Sequence, residues 1–277
     1  MLRLKPVDWK RMLVTIVIGY ACVLVVTYLN QRSLMYVPYQ IFPNPALIGV
    51  GDMQEISVVT KDQIKLRALY RAPALSDKPV IVQFHGNGGS IAIRGDRARY
   101  YIDHGFGYML AEYRGYAGNP GKPSERGLYE DARAYIQWLM KDQGLAQNRI
   151  VLYGESLGTG IAAQMALEFP NIRALVLEAP YTSMQSLAQS HMFWLPAYWL
   201  VKDRYSNIDK VGQIKAPILV LHGQKDSVVP FHHGAAVFQK IKSEKRFEIF
   251  TAGNHVDLYS HGAGEKVRDF LAAHQPD

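Results

Sequence analysis

The feature that most restricts the fold of this chain is an alternation of short apolar runs with helix-length stretches. Six apolar runs of strand length occur after residue 79: VIVQFHG, GYMLAEY, RIVLYGE, RALVLEAP, PILVLHG and RFEIFTAG. Helix-length stretches lie between some of them, such as residues 124–141 and 156–169. Because continuous apolar strands are buried on both faces, the pattern predicts a mostly parallel central sheet with helices on both sides.

An earlier segment, EISVVTKDQIKLRALYRA, alternates apolar and polar residues in two runs that meet at Lys61 and Asp62. This alternation predicts an antiparallel hairpin ahead of the first buried strand. The sequence contains neither an internal repeat nor a low-complexity linker. We therefore expect one folded domain over residues 30–277, which is long enough to bury a single large core.

Residues 12–29, MLVTIVIGYACVLVVTYL, contain no charged side chain. Their number lies within the range of ~17–25 that crosses a bilayer as a helix. A buried core helix would show a polar stripe, whereas only Thr15 and Thr27 interrupt this segment. A cleaved signal peptide would have a shorter apolar region and an A-x-A-like site, and none precedes Gln31. We predict an uncleaved transmembrane signal anchor.

Basic residues are distributed unevenly about this anchor. Four of them precede it and only Arg32 follows closely, so the positive-inside rule predicts a cytoplasmic basic tail over residues 1–11 and a periplasmic or extracellular domain. The tail, which includes Asp8, contributes +3 of the formal charge of +7, which leaves +4 for the rest. No basic run interleaved with aromatic residues occurs there, so we expect no nucleic-acid partner.

Cysteine usage restricts the chemistry further. Cys22 is the only cysteine, and it lies within the predicted anchor. The outer domain therefore has no disulfide and no cysteine nucleophile.

The segment GESLG, residues 154–158, lies between a predicted strand and a predicted helix. The chemistry of a parallel sheet gathers at the carboxyl ends of its strands, where this segment falls. It matches the G-x-S-x-G nucleophile elbow, a sharp turn that exposes a serine hydroxyl and leaves no room for side chains at the two glycines. The helix that follows directs partial positive charge at an anion formed beside Ser156.

A G-x-S-x-G motif alone is a weak signal, but the residues that follow it strengthen the prediction. An acid and then a histidine are expected at the ends of later strands. Asp226 follows PILVLHGQK, and His255 follows RFEIFTAGN. Because a serine hydroxyl needs a base and the base needs an orienting carboxylate, we predict Ser156, His255 and Asp226 as nucleophile, base and acid.

Alternatives exist for the acid and for the base. Asp226 could instead stabilise a turn before the helix near Pro230, and Asp257 could serve as the acid although it shares a loop with His255. The other histidines near strand ends or helix starts are interpreted as structural or solvated groups: His85, His222, His232 and His233.

The segment FHGNGGS follows the first buried strand. We predict that the backbone amides of Asn87 and Leu157 form the oxyanion hole. The segment is not a P-loop, because no Gly-Lys-Ser/Thr follows.

Residues 158–163, GTGIAA, fit a dinucleotide-binding fingerprint, with Glu178 at the end of the next strand. These glycines would lie inside the helix, whereas the fingerprint needs them in the turn that opens the helix. No metal-ligand motif such as H-E-x-x-H occurs, and we expect no metal and no cofactor.

These motifs resemble those of the α/β-hydrolases, specifically a membrane-anchored abhydrolase-domain branch related to the serine aminopeptidase-like hydrolases. The similarity extends through most of the chain: QRSLMYVP, HGNGG, YRGYAGNPGKPSERGLYEDARAYIQWL, GESLGTG, EAPYTS and DSVVP. Two departures lie outside the predicted triad. Glu112 stands where aspartate is usual before Tyr-Arg-Gly, and GNGGS replaces the more common GNAGN. The resemblance implies an α/β-hydrolase fold and hydrolysis of an ester or thioester of a small-molecule or lipid-like acyl compound.

In this family a small cap usually lies between later strands, here residues 181–207. The segment contains MFWLPAYWLVKDRY, and we expect Trp194 and Trp199 to line an acyl pocket unless they pack over the sheet or face the bilayer. Such a pocket would favour medium over two-carbon acyl chains.

Two other functions are less favoured by the sequence. A peptidase of the serine aminopeptidase type needs a site for a free amino terminus, and nothing marks one. A non-catalytic membrane-bound scaffold has no need for three matched groups.

Overall fold

The computed structural model describes residues 8–75 and 77–275. Arg3 and Lys5 of the predicted basic tail lie outside the described residues. The helices are α1 (Trp9–Met35), α2 (Gly95–Asp103), α3 (Glu125–Lys141), α4 (Leu157–Glu168), α5 (Met184–His191), α6 (Ala197–Leu200), α7 (Phe231–Lys240) and α8 (Ala263–Ala273). The strands are β1 (Val37–Pro38), β2 (Gln54–Val59), β3 (Lys65–Arg71), β4 (Val80–Phe84), β5 (Gly88–Gly89), β6 (Gly107–Ala111), β7 (Ile150–Glu155), β8 (Ala174–Glu178), β9 (Ile218–Gly223) and β10 (Lys245–Phe250).

Eight strands form the central sheet in the order β10-β9-β8-β7-β4-β6-β3-β2. The strands from β10 to β6 are parallel. β3 pairs antiparallel with β6, and β2 pairs antiparallel with β3, which is the predicted hairpin. The two short strands β1 and β5 form a separate parallel pair. The predicted fold, a mostly parallel sheet with helices on both faces, is confirmed.

Alternate residues of the central strands pack on opposite faces of the sheet. In β7, Ile150 and Leu152 belong to the core that includes residues of α3 and α4, whereas Val151 and Tyr153 belong to the core that includes residues of α2 and α8. All four side chains are fully buried. A strand buried on both faces has no solvent-facing position, which explains its continuous apolar sequence.

The helices α3 and α4 begin and end close to their predicted bounds. The Ser124 hydroxyl accepts a hydrogen bond from the Gly127 amide at 3.1 Å and so caps the N-terminus of α3. α4 begins directly after Ser156, so the glycines of GTGIAA lie at or inside its start, as the sequence indicated.

Outside the sheet and its covering helices lie α1 and the predicted cap. α1 includes the predicted span of residues 12–29. Among the described helices, it is the one that is long and apolar enough to cross a membrane. None of its residues is buried. The cap segment, residues 181–207, contains α5 and α6 and lies between β8 and β9 in the chain.

Candidate active site

Ser156 occupies the tight turn between β7 and α4. Its backbone has a φ of 50°, a left-handed value that is unusual for a residue with a side chain. The Ser156 amide donates to the carbonyl of Glu178 at 2.9 Å, which ties the turn to β8. A Cβ atom at Gly154 would lie 2.5 Å from the carbonyl oxygen of Gly158, and one at Gly158 would overlap the Phe84 carbonyl. Both positions require glycine because α4 lies so close to the sheet.

The structure brings three of the predicted residues into one hydrogen-bonded chain. His255 Nδ1 lies 2.8 Å from Asp226 Oδ2, and His255 Nε2 lies 3.1 Å from Ser156 Oγ. Because an ionised carboxylate only accepts, Nδ1 carries the proton, and Nε2 is free to accept from the serine hydroxyl. In this arrangement an imidazole can remove the hydroxyl proton as the oxygen attacks a carbonyl carbon.

The Asp226 side chain is buried and accepts hydrogen bonds on both oxygens. Oδ1 accepts from the amides of Val228 at 2.9 Å and Val229 at 2.7 Å, while Oδ2 faces His255. Burial by itself raises the pKa of this carboxyl, but the hydrogen bonds from His222, His255 and the Val229 amide outweigh burial and hold the pKa well below its ordinary value. Asp226 therefore stabilises a turn and orients the imidazole at the same time.

Asp257, the alternative acid, is engaged elsewhere. Its Oδ1 accepts from the Asn254 amide at 2.7 Å, and its Oδ2 lies 3.9 Å from His261. It thus stabilises the loop that carries His255.

Of the other histidines that the sequence singled out, His85 and His233 are held by structural contacts. His85 is buried, and its Nε2 lies 2.8 Å from the Glu112 carboxylate. His232 at the start of α7 is exposed as expected, but the expectation of a solvated His233 is wrong. His233 is buried, and its Nδ1 lies 2.9 Å from the Thr182 hydroxyl because α7 packs against the start of the cap.

Asn87 and Leu157 line a cavity that also contains Ser156. In the part of the chain that the structure describes, neither of their backbone amides donates to another protein group. The Asn87 side chain donates to the Met35 carbonyl at 2.9 Å, which fixes the loop at the end of α1. Both backbone N–H groups are therefore available to an oxyanion formed beside Ser156.

The cavity has a volume of about 240 Å³ and a largely apolar wall. One part of the wall is the cap, through side chains of α5, α6 and the loop between them. A second part is α1, which the sequence did not indicate; its lining residues are Thr27, Tyr28, Gln31, Leu34 and Met35.

Trp194 and Trp199 are not among the residues that line this cavity. Their side chains are 54% and 80% exposed. Each tryptophan is the chain neighbour of a cavity-lining leucine, Leu195 or Leu200. The two rings therefore face outward, while the adjacent leucines form the wall.

A buried ionic cluster lies beneath the elbow and was also missed by the sequence analysis. Glu155 accepts from Arg94 at 2.5 and 3.2 Å and from Arg97 at 3.0 Å, and Arg97 also contacts Glu178 at 2.8 Å. Burial opposes ionisation of Glu155, but Arg97 and Arg94 lower its pKa to about 2. Burial raises the pKa of Glu178, which accepts a short hydrogen bond from Tyr153. The acidic residues are visible at strand ends, but their arginine partners on or before α2 carry no motif.

Residues 96–273 match the model of the prolyl oligopeptidase family. An uncharacterized protein of Mycobacterium tuberculosis (strain CDC 1551 / Oshkosh) is 33% identical over 237 residues, which cover 84% of each chain. Lysophosphatidylserine lipase ABHD12 of Rattus norvegicus is 30% identical over 241 residues, which cover 75% of this chain and 59% of the lipase.

Among solved structures, an esterase of Pyrococcus furiosus superposes with a TM-score of 0.71 at 18% sequence identity. The match covers 87% of this chain and 99% of the esterase. At this identity the likeness concerns the fold alone.

Proposed function

The chain belongs to the prolyl oligopeptidase family within the α/β-hydrolases, and on that premise we propose that it is a membrane-anchored serine hydrolase that cleaves an ester or thioester of a lipid-like acyl compound. The observation that carries the proposal is the hydrogen-bonded chain from Ser156 through His255 to Asp226.

In the proposed reaction, Ser156 Oγ attacks the acyl carbonyl carbon while His255 Nε2 takes the hydroxyl proton. Asp226 stabilises the imidazolium, and the amides of Asn87 and Leu157 stabilise the tetrahedral oxyanion. The imidazolium then gives its proton to the leaving oxygen or sulfur, which leaves an acyl group on Ser156. Water, deprotonated by His255, hydrolyses this acyl-enzyme and restores the hydroxyl.

The wall of the cavity supports an acyl substrate over a peptide. Among the described residues that line it there is no Asp or Glu that could pair with a free amino terminus. Most of the lining side chains are apolar. A hydrocarbon chain would gain about 0.8 kcal/mol for each methylene group that it buries there. Rat lysophosphatidylserine lipase ABHD12, 30% identical over its matched part, also agrees with a lipid-like substrate.

A fluorophosphonate probe tests this function on the full chain in detergent. The wild-type protein is expected to be labelled at Ser156, and Ser156→Ala is expected to lose labelling and at least ~10³-fold in kcat on p-nitrophenyl esters while its melting temperature stays unchanged. An unlabelled, inactive wild-type chain would favour the non-catalytic scaffold instead.

We further propose that residues 12–29 anchor the protein, with residues 1–11 in the cytoplasm and the hydrolase domain of residues 30–277 in the periplasm or outside the cell. The excess of basic residues before the span supports this orientation. Alkaline phosphatase fused to the C-terminus in a bacterial host should be active, and green fluorescent protein fused there should be dark. The reverse result would place the domain in the cytoplasm.

A further inference from the structure

One face of α1 is partly covered by the rest of the protein, although no residue of the helix is buried. The partly covered positions are Leu24, Thr27, Gln31 and Met35, while the other residues of α1 are exposed. Their spacing of three, four and four residues places them on a single stripe of an α-helix. The stripe extends from inside the apolar span to the end of the helix, so α1 packs along the domain rather than leaving it directly.

Polar contacts near the C-terminal end of α1 hold the helix against the cap. The Gln31 side chain donates to the Leu200 carbonyl at 3.1 Å and accepts from the Lys202 amide at 2.7 Å. The next residue, Arg32, donates to both oxygens of the buried Asp203 carboxylate at 2.8 and 3.0 Å. Paired contacts of this kind fix the orientation of the helix as well as its position.

A second contact lies deeper in the apolar span. The Tyr20 hydroxyl donates to the Trp194 carbonyl at 2.9 Å. Tyr20 lies about 16 Å along the helix from Gln31, at a rise of 1.5 Å per residue. We call residues 192–200 the cap tip; it runs alongside α1 from the level of Gln31 down to the level of Tyr20.

The composition of the cap tip suits a hydrocarbon environment. Its sequence, MFWLPAYWL, contains no charged residue. Phe193 and Trp199 are 83% and 80% exposed on its outer surface. The exposed charged residues Arg32 and Lys202 lie at the level where α1 leaves its apolar span. An exposed apolar surface that ends in charged residues is typical of a membrane-inserted segment.

Several backbone groups of the cap tip are hydrogen-bonded to side chains of α1 and α5, although the segment is mostly not helical. Gln189 of α5 donates to the Leu195 carbonyl at 2.9 Å and accepts from the Tyr198 amide at 3.1 Å. Gln185 donates to the Tyr198 carbonyl at 2.8 Å. The two bonds from α1 satisfy the carbonyls of Trp194 and Leu200. Backbone in hydrocarbon needs such partners because the lipid supplies none, so these side chains do what water does for an ordinary surface loop.

We propose that α1 and the cap tip enter the outer half of the bilayer together, and that the cavity between them takes the acyl chain of a single-chain amphiphile sideways from that leaflet. The inference rests on the proposed function and specifies its substrate. A cavity of about 240 Å³ is smaller than the usual small-molecule sites, which span ~300–1,000 Å³, so it suits one chain rather than two. The acyl carbonyl would reach Ser156, and the polar head would face the charged residues at the membrane surface.

The test uses the full chain in phosphatidylcholine vesicles and two esters with the same leaving group. p-Nitrophenyl palmitate is carried in the bilayer, and p-nitrophenyl acetate is dissolved in water. Thr27→Phe places a ring in the cavity from the α1 side, and Val25→Phe is the matched control because it lies about 200° around the same helix and is exposed. Thr27→Phe should lower kcat/KM at least tenfold for the palmitate and less than threefold for the acetate, while Val25→Phe changes both by less than twofold.

The inference is overturned if Thr27→Phe leaves palmitate hydrolysis intact, or if it lowers both esters equally. Thr27→Leu, which adds less volume, repeats the measurement should the ring prevent folding, and the same selective loss is expected of it. Failure of the proposed function is distinguishable, because the wild-type chain would then show no fluorophosphonate labelling of Ser156 in the same vesicles.

Discussion

Ser156 stands between two surroundings of opposite character. Beneath the elbow, toward the sheet and α2, Glu155 and Glu178 meet Arg94 and Arg97 in a buried ionic cluster. Above it, toward α1 and the cap, the cavity wall is largely apolar, and the outer surface of the cap tip carries exposed aromatic rings. The lower side consists of short, directional contacts, and the upper side mostly of apolar side chains.

This difference separates two tasks. Directional hydrogen bonds and ion pairs allow only one geometry, so the lower side can hold the serine and its neighbours within the small tolerance that bond-making chemistry requires. Apolar packing depends on volume more than on direction, so the upper side can accept a flexible chain and set its length. Substitutions below the serine should therefore affect stability and turnover, and substitutions above it should affect the choice of substrate.

The largest expected effect concerns the acid. Asp226→Asn should lower kcat by about 10³-fold or more on short and long esters alike, because the amide no longer holds His255 in the tautomer that accepts the serine proton. Asp257→Asn is the matched control on the His255 loop and should stay within threefold. Steady-state kinetics on p-nitrophenyl esters check both. A large loss in Asp257→Asn with an active Asp226→Asn would move the acid to Asp257.

The next effect concerns the ionic cluster. Glu155→Gln leaves two buried arginines short of a partner and should lower the free energy of unfolding by about 3 kcal/mol at pH 7. Glu168 of α4 is the partly exposed partner of Arg133 of α3. Glu168→Gln should lower the free energy of unfolding by less than about 1 kcal/mol. Urea titrations measure both. Equal losses of unfolding free energy in the two variants would show that the cluster stabilises the protein no more than an ordinary surface ion pair does.

The difference in unfolding free energy between the wild type and Glu155→Gln should also depend on pH. The pKa of Glu155 is lowered in the folded state to about 2 from an ordinary 4.5. A lowered carboxyl pKa adds stability that is present above the unfolded pKa and is lost as the pH falls toward the folded one. The difference between wild type and Glu155→Gln should therefore narrow between pH 4.5 and about pH 2. A constant difference would mean that the carboxylate charge contributes nothing.

The smallest expected effect compares two neighbouring residues of the cap tip. Leu195 lines the cavity, whereas Trp194 faces outward. Leu195→Ala should reduce the ratio of kcat/KM for p-nitrophenyl octanoate over acetate by about fourfold, the equivalent of about one methylene contact. Trp194→Ala should leave that ratio within twofold. A larger change in Trp194→Ala would mean that the ring, and not the leucine, forms the acyl pocket.

The central sheet and the nucleophile elbow are predictable from the sequence because their signals are local. Strands buried on both faces are continuously apolar, and Gly154 and Gly158 bracket the serine because a Cβ at either position would collide with nearby backbone. The order of Ser156, Asp226 and His255 at successive strand ends follows from the topology, since parallel strands bring their carboxyl ends to one edge. These features depend on chain direction and sterics, which a sequence displays directly.

The sequence by itself therefore determined the fold class and identified the three side chains that meet at one sheet edge, because both follow from periodicity and turn sterics. Only the tertiary structure decided what surrounds them. Arg32 meets Asp203 across 171 residues of chain, and Arg97 meets Glu178 across 81. Such pairings depend on how separate elements pack, and neither partner carries a local mark of the other. The apolar sequence of α1 predicts an anchor. Its contribution to the cavity wall depends on how the cap folds against it.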